Sequence, residues 1–265
     1  MSEPVAPLVS VITPCLNARH TLPATLDSVA AAALELQRFD QHLEHWVVDG
    51  GSEDTSQCLI ERHCSEHPWC ALLAGGRDGP YPAMNQGLAK ARGQYIHVLN
   101  ADDSLLNPRA YAKALIQAQQ QGASLILASI AYVSGKERRL GRIWPVQPLP
   151  HQGFDWHRQL RRGLHYPHPG FMAERGRYQR QGFDSRYKLS ADYKLMQTLL
   201  LAAQPDDVLV VEQPLVAMAT GGRTGTWSGR FRGVKELQAI NQELGLQAPL
   251  WRRYGHKLVQ ALRVR

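Results

Sequence analysis

The stretch YIHVLNADDSLL, Tyr95 to Leu106, joins an apolar strand-like run to two adjacent carboxylates at its end. Neighbouring carboxylates repel each other and lose solvation when they are buried, so their placement requires a cation or open water. In open α/β sheets, ligands bind beyond the carboxyl ends of the strands. Asp102 and Asp103 therefore mark a candidate binding edge if the rest of the chain builds a parallel sheet.

The first hundred residues alternate strand-like and helix-like patterns, as a parallel α/β sheet requires. Leu8 to Thr13 is a short apolar run that ends before Pro14, and a helical face recurs every three or four residues from Leu22 to Leu36. The next predicted elements are strands at 45–49, 70–75 and 95–100 and a short helix at 81–93, closed by Gly93.

The second half is predicted to add a helix and a hairpin before a less regular region. A proline-, histidine- and glycine-rich segment is interpreted as a loop or lid, because its periodicity is weak. The predicted elements are a helix at 108–122, hairpin strands at 124–133 and 140–144, the loop at 145–169, a helix at 190–203, a last strand pair at 207–219 interrupted by Pro214, and a basic glycine-rich loop at 221–233 before a C-terminal helical region.

The composition indicates one large globular domain or two intimately packed halves, with 265 residues of which 44% are hydrophobic and 20% charged. The first residues show no basic region followed by a long apolar segment, so we expect a soluble, cytoplasmic chain. The formal charge of +7 suggests anionic partners. Nucleic acid is not expected among them, because no basic stripe with interleaved aromatic residues accompanies the charge.

The four cysteines, Cys15, Cys58, Cys64 and Cys70, contain no CxxC pair. Their spacing matches no zinc-ligand or disulfide framework, so they are predicted to be buried or spectator thiols. The first strand is followed by PCLNARH rather than by GxGxxG, and GxxxxGK[ST] is absent from the sequence. A dinucleotide-binding Rossmann domain and a P-loop site are therefore not indicated.

Acidic residues follow three of the predicted strands: Asp49, Asp78, and the pair Asp102 and Asp103. Neighbouring parallel strands would gather these side chains along one edge as a carboxylate-lined cleft. Mg²⁺ or Mn²⁺ takes one or two carboxylate ligands and completes its coordination with water and substrate phosphates. The pattern thus predicts a site for a divalent metal and a nucleotide diphosphate.

With these strands, turns and acids, the sequence resembles family 2 glycosyltransferases of the GT-A fold, of the type that acts in bacterial polysaccharide biosynthesis. The matching stretches cover most of residues 8 to 200 in the expected order, and together they are specific. They are VSVITPCLNARHTLPATLDSV, WVVDGGSEDTS, RDGPYPAMNQGLAKARGQYIHVLNADD and HPGFMAERGRYQRQGFDSRYKLSADYKL.

The resemblance implies roles for the residues that match its motifs. Asp49 would accept hydrogen bonds from the nucleotide base, and the turn from Thr13 to Asn17 would hold the base and ribose. Asp102 would approach the ribose or the sugar, and Asp103 would ligate Mn²⁺ or Mg²⁺. Two further residues would line the donor pocket, namely Asp78 and Asn85.

Asp192 in SADYKL matches the position where the family places its general base, although a carboxylate at a helix start is also favoured as a capping group. The family commonly has YDAMN where this chain has YPAMN. Pro82 thus replaces an acid that would face the donor sugar, so the identity of that sugar stays open. Further on, the family often has GG(V/I)S where this chain has GGRTGT, and Arg223 would then lie near the diphosphate. His168 is expected to line the acceptor side, with a hydrogen-bonding scaffold role as the alternative.

The expected domain organisation is a single glycosyltransferase domain over 1–218, with a nucleotide-binding half at 8–105 and an acceptor half at 106–218. A basic extension would follow at 219–265, where Trp251 to Leu262 forms an amphipathic face. That face suggests association with the inner membrane surface, and a solvated surface helix is the alternative.

The predicted activity is metal-dependent, inverting transfer of a sugar from a UDP-sugar to a saccharide or lipid-linked saccharide. Two alternatives stay open: a degenerate sugar-nucleotide or carbohydrate-binding protein, for which Pro82 is the best argument, and a nucleotidyltransferase, which would also need clustered acids and a metal.

Overall fold

The computed structural model describes residues 6–135, 138–146, 155–220 and 227–247. Strands and helices alternate through the first hundred residues, as the sequence predicts. The strands are β1 Val9–Cys15, β2 Leu43–Asp49, β3 Cys70–Ala74, β4 Tyr95–Val98, β5 Ser104–Leu105, β6 Leu125–Ser134, β7 Arg139–Trp144, β8 Phe171–Glu174 and β9 Val208–Ala219. The helices are α1 Leu22–Gln37, α2 Ser56–Glu66, α3 Pro80–Lys90, α4 Pro108–Gln121, α5 Trp156–Arg161, α6 Arg175–Gln181, α7 Ala191–Leu201 and α8 Trp227–Glu243.

In the described part of the chain the nine strands form one sheet, in the order β3-β2-β1-β4-β8-β6-β9-β5, with β7 paired to β6. The strands from β3 to β4 in this order are mutually parallel. β8 runs antiparallel between β4 and β6, whereas β6 and β9 are again parallel. The sheet is thus parallel over the strands of the first half of the chain, which confirms the predicted α/β class.

The strand register brings the predicted acids to one edge of the sheet. Cys15, at the end of β1, is level with Asp49 on β2, and Asp49 is level with Ala74 on β3. Val98 at the end of β4 is level with Ile12 on β1, so the NADD turn continues past the sheet at that same edge. Parallel pairing therefore places Asp49 and Asp102 at one end of the sheet.

Helices cover both faces of the sheet and bury two main apolar clusters. On one face α1 packs on α4, and Leu36 and Leu115 are buried in the same cluster. On the other face α3 and α7 contribute Leu88 and Leu199 to a second cluster. Leu36 of α1 belongs to the face that the predicted periodicity selects, because it recurs in register with Leu22, Leu26, Val29 and Ala33, all of which are buried.

Three predicted elements differ in the structure. The predicted strand pair at 207–219 is one strand, β9, in which the register with β6 shifts around Pro214. A register irregularity accommodates a residue that has no N–H to donate, so the strand continues through the proline. The predicted loop at 145–169 contains α5, which Asp155 caps by accepting from the Arg158 N–H at 2.8 Å. The predicted loop at 221–233 becomes helical from Trp227 onward.

Gly93 does not close α3 as predicted, since the helix ends at Lys90 with Ala91 as its C-cap. The glycine instead allows close packing against β1. A Cβ atom at this position would lie 2.4 Å from the backbone nitrogen of Ser10 and 2.6 Å from the carbonyl carbon of Val9. Both are backbone atoms, which cannot rotate away.

The C-terminal helix α8 packs on α7. Ile240 and Leu237 are buried in a cluster with Tyr193, whose hydroxyl lies 2.9 Å from Oδ1 of Asn241. Within the described ranges there is no helix that is long and apolar enough to cross a membrane. The amphipathic face from Trp251 to Leu262, proposed for the membrane surface, lies outside the described residues.

Candidate active site

The turns after β1 and β2 are joined by a chain of hydrogen bonds around Asp49. The Ser52 backbone N–H donates to Oδ2 of Asp49 at 3.0 Å, and its hydroxyl donates to Oδ1. Ser52 Oγ in turn accepts from the backbone N–H of Asn17 at 2.9 Å. The Glu53 N–H donates to the Asn17 side chain at 2.8 Å. Asp49 is thereby fixed as a carboxylate at the strand end, in the place predicted for base recognition.

Asn17 has a positive φ of 52°, a left-handed conformation that asparagine tolerates better than most residues. This conformation turns the chain at the end of β1 towards the β2 turn. Thr13, predicted to share in base and ribose binding, is fully buried, and its hydroxyl lies 2.9 Å from Nε2 of His45. The Thr13 side chain therefore supports the strand from inside, while Asn17 lies at the edge.

The two adjacent acids of the opening stretch have different environments. Asp103 is only 1% exposed, and its oxygens accept from the Asn100 side chain and from the Ala219 backbone N–H, both at 3.1 Å. Burial and the neighbouring Asp102 raise the pKa of Asp103 to about 7. Asp103 thus connects the β4 turn to the end of β9 through hydrogen bonds. Because its carboxyl group is buried and already bonded, the structure does not favour its predicted role as the metal ligand.

Asp102 is half-buried, and burial raises the pKa of its carboxyl group. The Arg138 guanidinium donates to its main-chain oxygen at 3.0 Å and to the Ser104 hydroxyl at 2.9 Å. Arg138 thus brings a cation from the β6–β7 turn to the carboxylate edge. Of the two acids, Asp102 has the more accessible carboxylate.

The two predicted donor-pocket residues differ from each other in the structure. Asp78 is exposed in the turn that follows β3. Asn85, on α3, uses both ends of its carboxamide on Phe183: its amide donates to the Phe183 carbonyl at 2.8 Å and its oxygen accepts from the Phe183 N–H at 2.8 Å. Asn85 therefore clamps the segment before α7 to α3, and Asp78 is free to face a ligand.

The predicted base, Asp192, lies in the first turn of α7 and is half-buried. Its Oδ1 accepts a hydrogen bond of 2.9 Å from the hydroxyl of Tyr81 on α3. Ser190 makes no side-chain cap at this helix start. Asp192 is therefore oriented by a residue from the first half of the chain.

His168 lies at the start of the turn that precedes β8. Its Nε2 atom is buried and lacks a hydrogen-bond partner among the described residues. Burial lowers the pKa of the ring, while the nearby Asp192 acts in the opposite direction. The ring meets Phe183 edge-on, with centroids 6.0 Å apart. The fold thus brings His168, Asp192 and Tyr81 together from three separate elements.

Three residues of this site were not singled out from the sequence. Ser52 stands in the glycine-rich turn DGGSEDTS and Tyr81 in YPAMN, so both lie within the quoted motifs. Arg138 stands in SGKERR, the turn of the β6–β7 hairpin, where charged residues are common and give no functional signal. Arg223, predicted near the diphosphate, lies outside the described residues.

The family model "Glycosyl transferase family 2" matches residues 10–183, which include Asp49, both acids of the β4 turn and His168. The chain belongs to glycosyl transferase family 2. Membership makes this protein a glycosyltransferase, which favours sugar transfer over the two alternatives, a nucleotidyltransferase and a binding protein without turnover.

Relatives of this family 2 glycosyltransferase include proteins of similar length and partial matches. It is 29% identical over 251 residues to an uncharacterized glycosyltransferase of Mycobacterium tuberculosis, covering 94% of this chain and 86% of the relative. It is 34% identical over 109 residues to a PGL/p-HBAD biosynthesis glycosyltransferase of Mycobacterium bovis, with 41% and 40% covered. A third is the undecaprenyl-phosphate 4-deoxy-4-formamido-L-arabinose transferase of Pseudomonas syringae, 29% identical over 120 residues, with 44% and 34% covered.

Solved structures show that the fold is GT-A. TarS of S. aureus, residues 1–349 in complex with UDP-GlcNAc, matches with a TM-score of 0.62 at 16% identity, covering 81% of this chain and 59% of that one. The mannosyltransferase PcManGT of Pyrobaculum calidifontis, in complex with GDP-Man and Mn²⁺, matches with a TM-score of 0.57 at 19% identity, covering 92% and 66%. This glycosyltransferase spans about 60% of the solved TarS fragment.

Proposed function

We propose that this glycosyltransferase is metal-dependent and inverting, and that it transfers a sugar from a UDP-sugar to a saccharide or lipid-linked saccharide in polysaccharide biosynthesis. The observation that supports this most is the half-buried Asp192, held by Tyr81 next to His168. A carboxylate oriented in this way is suited to accept the proton of an acceptor hydroxyl. A base that activates the acceptor hydroxyl for direct attack leads to a single displacement, which inverts the anomeric centre.

The nucleotide is proposed to bind at the opposite side of the reaction centre, along the carboxyl ends of β1 and β2. Asp49 is fixed by Ser52 at this edge and has carboxylate lone pairs left to accept from the base. Asn17 and the exposed Asp78 flank it. Arg138 adds a positive charge next to Asp102, where the diphosphate is proposed to lie.

The residues fit a hard divalent cation at Asp102. The residue is half-buried, so a ligand can reach its carboxylate, and partial burial raises the pKa of that group and makes a neutralising cation favourable. Mn²⁺ or Mg²⁺ bound here would act as a Lewis acid that stabilises the charge growing on the leaving phosphate. Asp103 is proposed to position Asp102 rather than to bind the ion, since its own carboxylate is fixed inside the fold. Asp192 takes the acceptor proton as the new glycosidic bond forms and the bond to the diphosphate breaks.

The proposed donor and acceptor classes draw on what the relatives are named for. The solved relatives hold UDP-GlcNAc or GDP-Man with Mn²⁺, and one curated relative is named for transfer involving undecaprenyl phosphate. These names favour a nucleotide-diphospho-sugar donor and a lipid-linked acceptor for this chain too. Association with the inner membrane surface through the basic C-terminal region is part of the same proposal.

The test is a calorimetric titration of UDP, UDP-sugars and GDP-sugars with Mn²⁺ or Mg²⁺, followed by a transfer assay with the best donor. Asp192→Asn is expected to bind the donor normally and to lose about 10²–10⁴-fold in kcat, the usual contribution of a general base. Asp206→Asn, a change at an exposed acid beyond α7, is the matched control. Product with retained anomeric configuration, or an Asp192→Asn enzyme of normal kcat, would overturn the assignment of the base.

A further inference from the structure

A second group of metal-ligating side chains lies deeper in the fold, beneath α2. His45 on β2, His63 on α2 and Cys70 on β3 point one ligand atom each to a common point, and these atoms lie within 4.8 Å of one another. All three residues are buried. Cys64, the residue after His63, is not one of these three, but its Sγ atom lies 3.0 Å from that of Cys70 and is the neighbouring thiol that can complete the set. We propose that these four residues form a structural zinc site.

The sheet register explains why the ligands meet. His45 and Cys70 are direct partners on the parallel strands β2 and β3, so their side chains leave the same face of the sheet. α2 lies over β3 on that face and turns His63 and Cys64 towards them. The ligands are thus provided by two strands and one helix, with no ligand on a long loop. The spacing between cysteines, which gave no zinc pattern in the sequence, does not reveal this arrangement.

Two nitrogen atoms of this cluster lack a partner within the described ranges. His45 is 1% exposed and His63 is 7% exposed, and His45 Nδ1 and His63 Nε2 are buried without a hydrogen bond. An unsatisfied buried polar atom typically costs about 1–3 kcal/mol, so two at one point call for a common partner. Both atoms belong to histidines of the converging set, and a metal ion bound by these two nitrogens would satisfy both.

The other nitrogen of His45 already has the partner that metal-binding histidines usually have. Its Nε2 lies 2.9 Å from the buried hydroxyl of Thr13 on β1. With the proton on Nε2, this nitrogen donates to Thr13 and Nδ1 is left with a free lone pair for a metal. Such an outer hydrogen bond fixes the ring and its tautomer in many metal sites. Burial also keeps the ring neutral, since it lowers the pKa of His45 to about 3.

The donor set identifies the class of metal. Two imidazoles and two thiols match the Cys₂His₂ ligands of tetrahedral zinc. Bond lengths of about 2.0–2.3 Å place tetrahedral ligand atoms about 3.3–3.8 Å apart. The ligand atoms of His45, His63 and Cys70 lie within 4.8 Å of one another, and the two sulfur atoms lie 3.0 Å apart, so small side-chain shifts reach this spacing. On binding, each thiol releases its proton to solvent, so Zn²⁺ and two thiolates form a neutral unit. Neutrality matters because an unpaired charge at this depth would be costly.

This site is separate from the catalytic edge. His45 precedes Asp49 by four residues on β2, which corresponds to about 13 Å along an extended strand. A zinc ion there would link β1, through Thr13, to β2, β3 and α2, the elements that carry the Asp49 turn. The inference does not depend on the proposed donor, acceptor or base.

The experiment uses the full chain, stripped of metal with a chelator under reducing conditions and then titrated with Co²⁺ and Zn²⁺. Co²⁺ is expected to give the intense visible bands of tetrahedral coordination and the near-ultraviolet bands of thiolate bonding, with one ion per chain, and Zn²⁺ is expected to abolish them. Cys64→Ser, at a half-buried position, and Cys70→Ser are expected to lose the thiolate bands and to bind Zn²⁺ at least about 100-fold more weakly. Thr13→Val is expected to weaken binding about 10–100-fold.

Cys58→Ser is the matched control, because Cys58 is an exposed cysteine on the same helix. It is expected to bind Co²⁺ and Zn²⁺ like the unaltered chain, and circular dichroism checks that each variant is folded. Failure of the reduced chain to bind Zn²⁺, or binding that Cys64→Ser and Cys70→Ser do not weaken, would overturn the zinc site. A metal-free chain lighter by two hydrogens, with Cys64 and Cys70 joined in one peptide after digestion, would replace it with a disulfide.

Discussion

The Tyr81 hydroxyl donates a hydrogen bond of 2.9 Å to Oδ1 of Asp192, a residue 111 positions later in the chain. This bond joins α3, in the first half of the chain, to the first turn of α7. Tyr81 is almost completely buried, and burial together with the Asp192 charge raises the pKa of its hydroxyl. The Tyr81 hydroxyl therefore keeps its proton and donates it in a hydrogen bond that orients the proposed base.

Tyr81→Phe is expected to lower kcat by about 10-fold or more and to change the KM for the donor little. A hydrogen bond to a charged group contributes about 1.5–3 kcal/mol, and here its loss frees the carboxylate to rotate. Steady-state kinetics with a saturating acceptor measures the effect. Tyr187→Phe is the control, because it removes a similar hydroxyl bond of 2.8 Å to Glu243. Equal loss in both variants would mean that Tyr81 acts only through stability.

The unequal burial of Asp102 and Asp103 gives a second prediction. Asp102→Asn is expected to remove the metal dependence of donor binding and to lower kcat about 10²–10³-fold, with little effect on stability. Asp103→Ala is expected to lower the free energy of unfolding by about 1–3 kcal/mol, because the N–H of the half-buried Ala219 loses its acceptor and the buried carboxyl group is removed. Calorimetry with Mn²⁺ and urea unfolding measure both variants. The reverse pattern would assign the metal to Asp103.

The buried His97 is expected to make the stability of the fold depend on pH. Its ring is fully buried between the Tyr111 hydroxyl at 3.0 Å and the Pro169 carbonyl at 2.9 Å. Burial lowers the pKa of His97 from 6.5 to about 4. Since the unfolded chain takes up the proton first, the contribution of neutral His97 is complete above about pH 6.5 and is lost as the pH falls towards 4.

The loss amounts to roughly 3 kcal/mol across that window. Urea unfolding at a series of pH values, for the natural chain and for His97→Gln, isolates this contribution. The stability difference between the two proteins is expected to shrink as the pH falls from 7 to 4.5. A difference that stays constant across this range would show that His97 does not titrate as inferred.

The close packing of Gly93 against β1, remote from the site, leads to a prediction about stability. Gly93→Ala is expected to destabilise the fold by about 1–3 kcal/mol or more, because the new Cβ meets backbone atoms of β1 at 2.4 and 2.6 Å. Gly233→Ala, in α8, meets nothing within 4 Å and is expected to be neutral or to stabilise by up to about 1 kcal/mol. Thermal unfolding of the two variants compares them. Equal melting temperatures would contradict the close approach of Gly93 and β1.

Much of the first half of the fold could be predicted from the sequence, because local signals there agree with one another. The helical period of α1, the apolar runs of β1, β2 and β4, and the acids that follow the strands all depend on residues close in the chain. The short strands β5 and β8 and the helix α6 were not predicted. The two strands contain only two and four residues, too few for a period, and their pairing partners are distant in sequence.

The sequence by itself determined the class of fold and the family and predicted the edge of the sheet proposed to bind the donor, since these follow from local periodicity and short motifs. Only the tertiary structure decided which acid of the NADD turn faces outward, which tyrosine holds Asp192, and that His45, His63 and Cys70 converge under α2. The physical reason is the same in each case. Burial and hydrogen bonding depend on partners brought together from separate strands and helices, and linear spacing does not encode their distance.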